Sequence, residues 1–271
     1  MESHDVTAHN RESLQEDSAS LYINDTVRTQ LNHRTIRKFT DEPLSDQQLS
    51  ALLEVARHTA TSSFYQQSTI IRVLDPQVRH QVFLASGQSY VDGTAGELWV
   101  FIADVHRNAQ IRAEAGLDPE VSERATTFFQ AVKDTLLAAQ NVVVAAESMG
   151  LGTVYLGSIS GDTNRVIEAL KLPYQTFPVV GLLIGHPDQE PQFKPRLPLT
   201  FTVGVNEYPG FEDLTQALAD YDQSVSQYYD LRDENKRVDQ FTSQIIGKMG
   251  GGKSEKAPFL EELHAQGLCL R

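Results

Sequence analysis

Between residues 122 and 149, apolar side chains recur every three or four positions: Phe128, Val132, Leu136, Ala139, Val143 and Ala146. Leu137, Val142 and Val144 widen that stripe almost all the way round. A helix that is apolar on most sides is buried on most sides. Whatever this chain folds into must therefore be assembled around one long helix, which Gly150 and Gly152 then end.

Apolar runs of strand length lie on both sides of it. Residues 98–103 are continuously apolar and read as a central strand. Residues 177–184 read as a second buried strand, and residues 153–159 as a strand that delivers Tyr155, Leu156, Gly157 and Ser158. Residues 69–74 make a further strand, closed by Asp75 and Pro76 and followed by a short helix to about Leu84. Helices are expected at 26–32 and 164–170, and after Ser45, where a Ser-Asp-Gln-Gln cap precedes Leu49, Leu52, Leu53 and Ala56 at helical spacing. Phe201, Val203 and Val205 alternate as a strand does, and two or three helices are expected from about Phe211. Strands and helices mix without a strict βαβ rhythm, so the class is α+β.

The chain has 271 residues, enough for one large domain or two small ones. Its 23 Lys and Arg against 36 Asp and Glu leave a formal net charge of −13. A surface so acidic argues against binding nucleic acid or an anionic membrane, though it leaves room for a local basic pocket. No run reaches the roughly 18 apolar residues of a membrane helix. The first ten residues hold no basic stretch leading into an apolar one, so no secretory signal is expected. A single cysteine, Cys269, makes no internal disulfide and no cysteine-based metal site, and a cytoplasmic location is expected. Residues 1–24 are polar and acidic, with little to bury before Leu21, and read as a flexible N-terminal arm ahead of one domain at 25–271.

No conventional catalytic set is present: no HExxH, no GxSxG, no P-loop, and no GxGxxG after a strand. His33, His58, His80, His106 and His186 are scattered and lack metal-ligand spacing, so no metal is expected. Basic clusters remain. His33, Arg34, Arg37 and Lys38 fall within six residues, and Lys194 and Arg196 flank Pro195, which fixes the backbone between them. A phosphate needs several convergent donors, and arginine supplies two in a planar fork. Each cluster alone reads better as a solvated charged face. Two of them, with the Gly157–Ser158 turn that leaves backbone N–H groups free, point to an anion site.

Four segments in order, His33-Arg34-Thr35-Ile36-Arg37-Lys38-Phe39, Thr61-Ser62-Ser63, Tyr155-Leu156-Gly157-Ser158 and Lys194-Pro195-Arg196-Leu197-Pro198, resemble the FMN-dependent nitroreductase family. The nearest likeness is to its NADPH-preferring branch of oxygen-insensitive nitroreductases and NADPH–flavin oxidoreductases, over about residues 25–271. Residues 145–152 are also family-like. The resemblance implies an α+β fold: a mixed sheet surrounded by helices, with the long helix at the interface of a homodimer that holds FMN between its subunits. The sequence does not separate that role from the central helix of a monomer.

The resemblance also implies roles. His33, Arg34 and Thr35 match contacts to the phosphate and ribityl end of FMN, and Lys194 and Arg196 match a phosphate clamp. Arg37 matches the cation beside the pyrimidine edge, where it would lower the cost of charge arriving at N1–C2=O. Ser63 and Thr61 match a serine-rich turn lining the cofactor, Gln88 a glutamine near the ring, and Tyr155, Leu156, Gly157 and Ser158 the stretch along its face. Lys236 and Arg237 match a basic loop for the NADPH 2′-phosphate. The implied reaction is ping-pong hydride transfer from NADPH to FMN N5 and on to a small-molecule acceptor (nitroaromatic, quinone, azo or flavin), with no protein acid or base required. The alternatives are a reductase that releases reduced FMN to a partner and a non-catalytic flavin-binding redox sensor.

Overall fold

Strand Glu97–Asp104 (β2) is the axis of the molecule, and its alternation assigns its two faces. Leu98, Val100 and Ile102 point into one cluster, and Trp99 and Phe101 into another, as period-two geometry requires. The computed structural model describes residues 21–228, 240–250 and 258–271. The remaining residues include most of the 1–24 arm and the 232–237 loop, so those expectations lie outside the described residues.

β2 is flanked by β1 (Ser68–Val73) and β4 (Thr176–Gly185), and β4 by β3 (Gly152–Leu156), giving the order β1-β2-β4-β3. All three ladders are antiparallel, and an isolated parallel bridge from Thr35 to Thr153 makes the sheet mixed at its edge. The β2–β4 register slips between Phe101 and Ile102, where Pro178 enters the ladder. Proline has no N–H to give, and a bulge accommodates it.

Helices cover both faces. On one side α3 (Pro76–Ser86) and α6 (Thr163–Ala169) bury Val82, Ala85 and Val166 with Leu98, Val154 and Leu183. On the other, α2 (Asp46–Arg57) and α5 (Ala125–Ser148) bury Leu52, Ala138, Ala139, Val142, Val143 and Ala146 with Trp99, Phe101, Leu182 and Ile184. Each large side chain so buried contributes about 1.5–3 kcal/mol. The expected cap of α2 forms: Ser45 accepts from Gln48 N, and the Gln48 side chain accepts in turn from Ser45 N. A third cluster joins Phe128 and Phe177 to Leu263 of α11 (Phe259–Ala265) and to Leu268.

Several expectations change. The long helix begins at Ala125, because Asp118 caps a separate 3-10 turn over Pro119–Glu123. It is not buried all round: Phe129, Leu136 and Leu137 are 58%, 45% and 52% exposed in the single chain. β3 stops at Leu156, where its pairing with Gly181 ends, and a 3-10 turn over Gly157–Asp162 follows. Phe201, Val203 and Val205 form no strand; Leu199–Thr202 is a short helix (α7). Phe201 stacks on Phe211 at 4.7 Å while Val203 and Val205 stay exposed, so the alternation has no buried face to serve. Helices α1 (Asp25–Leu31) and α4 (His106–Glu114) complete the set before the sheet's end. The α4 segment carried no visible signal because only Ala109 is buried along it.

The chain divides into two compact units. The first is Ile23–Glu190 with Ala257–Arg271, which holds the sheet. The second includes residues 191–228 and 240–250, with α7, α8 (Leu214–Ala217), α9 (Ala219–Gln227) and α10 (Phe241–Gly250). Beyond Phe211 there are thus four described helices rather than two or three, three of them here and α11 in the first unit.

Candidate functional site

The basic segment 33–39 lies along the sheet at β3. Ile36 N donates to Thr153 O at 2.8 Å, and Phe39 bridges to Pro187. The approach is so close that a Cβ at Gly152 would lie 2.7 Å from Ile36, and one at Gly185 2.9 Å from Phe39. Glycine is required at both places because no side chain fits.

This placement sets Thr35 against Thr153 of β3 and His33 against the end of α5. Glu147, in the last turn of α5, accepts from His33 Nδ1 at 2.6 Å and from Thr153 Oγ1 at 2.9 Å. A carboxylate at a helix C-terminus opposes the helix dipole, so its partners must hold it there. Tyr155 donates from its hydroxyl to Gln140 Oε1 at 3.2 Å. Burial, and secondarily the Glu147 charge, push its phenol well above the usual range, so it stays neutral. Leu156 is buried in the core and offers only its backbone, whereas Gly157 is exposed and Ser158 half-buried.

Arg34 pairs with Glu190 at 3.0 Å, and Lys38 with Asp188 at 2.6 Å. The backbone between them is pinned by Gln189, whose Oε1 accepts from Arg37 N at 2.9 Å and Lys38 N at 2.6 Å. Arg37 has no such side-chain partner. Its guanidinium carbon lies 6.0 Å from the centre of the Tyr90 ring, and its Nε is buried without a hydrogen bond. Gln88 sits two residues before Tyr90, at the head of a 3-10 turn over Ser89–Val91.

Thr61 and Ser63 are held elsewhere. Asp134, 1% exposed in the middle of α5, accepts from Ser62 N at 2.7 Å and Gln67 N at 3.4 Å. Ser63, Phe64 and Gln66 all take positive φ, a strained arrangement for side chains other than glycine. Arg107 braces the far end, donating to Gln66 O, Ser68 O, Thr69 Oγ1 and Asp104 Oδ2. Asp134 and Glu147 stand thirteen residues apart on one helix, which is about 20 Å at the α-helical rise. Within one chain the 61–63 turn and the 33–37 segment are therefore anchored far apart.

Lys194 and Arg196 belong to the second unit, where both are exposed. Tyr221 donates to Pro195 O between them at 3.1 Å, and its ring meets Phe241 edge-on at 5.4 Å. Lys236 and Arg237 lie outside the described residues.

The arrangement suits a flavin mononucleotide. Arg37 Nε is a buried donor with no acceptor of its own, and desolvating such a group without a partner costs about 1–3 kcal/mol. The oxidised pyrimidine edge of a flavin is an array of acceptors. Glu147, Gln189 and Tyr90, which hold or adjoin these residues, and Asp134, which anchors the 61–63 turn, were not read from the sequence as parts of the site. Glu147 and Asp134 did carry a signal: they are the only two acids in α5.

The sequence profile described as "Nitroreductase family" matches residues 31–186, and that described as "Nitroreductase family, C-terminal domain" matches residues 194–271. The oxygen-insensitive NADPH nitroreductase of Salmonella typhimurium is 40% identical over 248 residues, 91% of this chain and 99% of that protein. The FMN reductase (NADPH) of Bacillus subtilis is 38% identical over 230 residues, 84% of this chain and 92% of that protein. Among solved structures, NfrA1 nitroreductase from B. subtilis superposes with a TM-score of 0.82 at 35% identity, covering 91% of this chain and all of the other.

Proposed function

The chain is an NAD(P)H-dependent oxidoreductase of the nitroreductase family, and from that premise we propose that it holds FMN and moves electrons from NADPH to small electron-poor acceptors in two separate half-reactions. FMN, when bound, would supply the hydride-transfer chemistry between NADPH and a nitroaromatic, a quinone, an azo compound or free flavin. The single observation that carries this reading is the unpartnered, buried Nε of Arg37.

The chain's own residues bind and orient. Arg37 keeps a fixed cation at the pyrimidine edge, where negative charge arrives on reduction. His33, held by Glu147 at Nδ1, turns its other nitrogen toward the ribityl and phosphate end, with Thr35 and Arg34 beside it. Lys194 and Arg196 are assigned to the phosphate by their match to the family's clamp. Gln88 is assigned to the ring, and the strand end at Tyr155, Leu156, Gly157 and Ser158 to its face, with Leu156 offering only its backbone. Thr61 and Ser63 complete the site from a second copy of the chain, because their anchor on α5 is about 20 Å from that of His33. The exposed Phe129, Leu136 and Leu137 give that copy an apolar face to cover. Lys236 and Arg237 favour NADPH through its 2′-phosphate. No side chain serves as acid or base. No helix among the described residues is long and apolar enough to cross a membrane. The proposed working form is a homodimer, and the proposed location, from the single cysteine, is the cytoplasm.

The purified protein is expected to be yellow, to bleach when NADPH is added without oxygen, and to regain its colour with a nitroaromatic. Yellow protein that NADPH leaves unbleached would instead be a non-catalytic flavin binder. A second reading, a reductase that releases reduced FMN to a user, is favoured by the activity for which the B. subtilis relative is named. Turnover of free FMN in large excess over nitroaromatic turnover would select it.

A further inference from the structure

We propose that Arg79 is a positioning residue for the flavin site: it clamps the turn after Tyr90 and thereby fixes the ring against which Arg37 rests. The inference builds on the proposed placement of FMN beside Arg37.

Arg79 lies on α3 and is only 7% exposed. Its Nε donates to Val91 O at 2.8 Å, its Nη1 to Gly96 O at 2.7 Å and its Nη2 to Ala95 O at 2.8 Å. Among the described residues no carboxylate comes within ion-pair distance of it. Burying a guanidinium without such a partner is costly, and here burial lowers its affinity for the proton despite the more distant Asp92 and Glu97. Turn carbonyls on a surface are satisfied by water without any of that cost. A buried cation in their place makes sense where the turn has to keep one shape.

The turn does not hold its own shape. Gly93 and Gly96 both take positive φ, and residues 92–94 are exposed. Its first residue, Val91, is fully buried and adjoins Tyr90, whose ring lies 6.0 Å from the guanidinium carbon of Arg37. Among the described residues Arg37 has no ion-pair partner. Two things restrain it: Gln189 at its backbone and Tyr90 at its head group. The Arg79 clamp therefore acts on Arg37 at one remove, through Tyr90, and on Gln88 through the preceding 3-10 turn over Ser89–Val91, which Gln88 heads.

The test compares wild type with Arg79→Lys, Tyr90→Leu, Tyr90→Phe and the double variant Arg79→Lys/Tyr90→Leu. Lysine keeps the charge but lacks the planar fork that holds all three carbonyls at once. Three quantities are read on FMN-loaded protein: the midpoint potential of the bound flavin, its dissociation constant, and hydrogen exchange in residues 88–96. Arg79→Lys is expected to shift the potential negative, slow anaerobic bleaching by NADPH about tenfold, and speed exchange in the turn, while FMN affinity changes less than threefold. Tyr90→Leu should match it, Tyr90→Phe should resemble wild type, and the double variant should be no slower than Tyr90→Leu alone, since the two act in one chain of contacts. Arg79→Lys with an unchanged potential, or single effects that multiply in the double, would overturn the proposal. Should Arg79→Lys not fold, an unchanged potential in Tyr90→Leu overturns it equally. Wild-type protein that takes up no FMN overturns the functional reading and this inference with it. Flavin-loaded wild type with indifferent variants overturns the inference alone.

Discussion

Arg37 is half-buried with a bare Nε, whereas Arg196 is exposed beside a proline whose carbonyl is tied to Tyr221. The same charge should therefore do different work at the two positions. A charge-assisted hydrogen bond is worth about 1.5–3 kcal/mol, and the part of it gained on reduction shifts the potential of a two-electron couple by no more than roughly 65 mV. Arg37→Ala is expected to lower the midpoint potential by that order while FMN affinity falls no more than a few-fold. Arg196→Ala should do the reverse, weakening FMN by about 10–100-fold with little change in potential. Titration of FMN into the apoprotein, together with a dye-coupled redox titration, measures both. Equal FMN affinity in wild type and Arg196→Ala would remove the phosphate assignment. At this scale the sequence displayed the cations plainly, because six basic residues in two short clusters stand out in an acidic chain. It hid what holds them. Arg79 spends its donors on backbone carbonyls, which have no sequence signature, and Gln189 reaches Arg37 from 152 positions away.

Segment 33–39 and β3 form a working pair only because Gly152 lets them touch. A Cβ there would lie 2.7–2.8 Å from three atoms of Ile36, and overpacking of that kind typically costs about 1–3 kcal/mol. The contrast is Gly157, where an added Cβ meets no protein atom within 4 Å. Gly152→Ala is expected to lower the unfolding free energy of the apoprotein by that amount and to weaken FMN as well, since Thr35 and His33 move with Ile36. Gly157→Ala should leave apoprotein stability within about 0.5 kcal/mol, the usual range where nothing is touched, yet still weaken FMN by crowding the space beside it. Urea unfolding of the apoproteins and FMN titration separate the two. Unimpaired FMN binding by Gly157→Ala would place the cofactor elsewhere. Elements with a buried face were legible: β2 and β4 fall within a residue of expectation, and α2 starts at its Ser45 cap although it stops at Arg57, short of the Thr61-Ser62-Ser63 turn expected to end it, because burial on one face writes a period into the sequence. Those without one were not. Helix α4 buries a single alanine, and the alternation at 201–205 serves a stacked pair of rings rather than a sheet.

For the whole molecule the decisive feature is the face of α5 that one chain leaves uncovered. Its sequence is apolar nearly all round, yet Phe129, Leu136 and Leu137 remain substantially exposed. Periodicity reports that a residue is to be buried, not in which copy of the chain its partner lies, and that limit is why composition left a central helix and an interface helix equally open. The proposed site needs the second copy for a separate reason, the roughly 20 Å along α5 between the anchors of the 61–63 turn and the 33–37 segment. One substitution tests whether the two reasons coincide. In a twofold dimer Leu137→Glu acts twice. Removing two buried leucines forfeits about 3–6 kcal/mol, which is roughly two to four decades in the dimer dissociation constant, before any repulsion between the new carboxylates. That repulsion adds to a chain already at −13 and should ease at high salt. Sedimentation is expected to show a 30.2 kDa species for Leu137→Glu at micromolar protein, with FMN lost in step with dissociation and partly regained as salt restores the dimer. A stable monomer that keeps FMN at wild-type affinity would mean that each chain closes its own site, and Thr61 and Ser63 would then have no place in it.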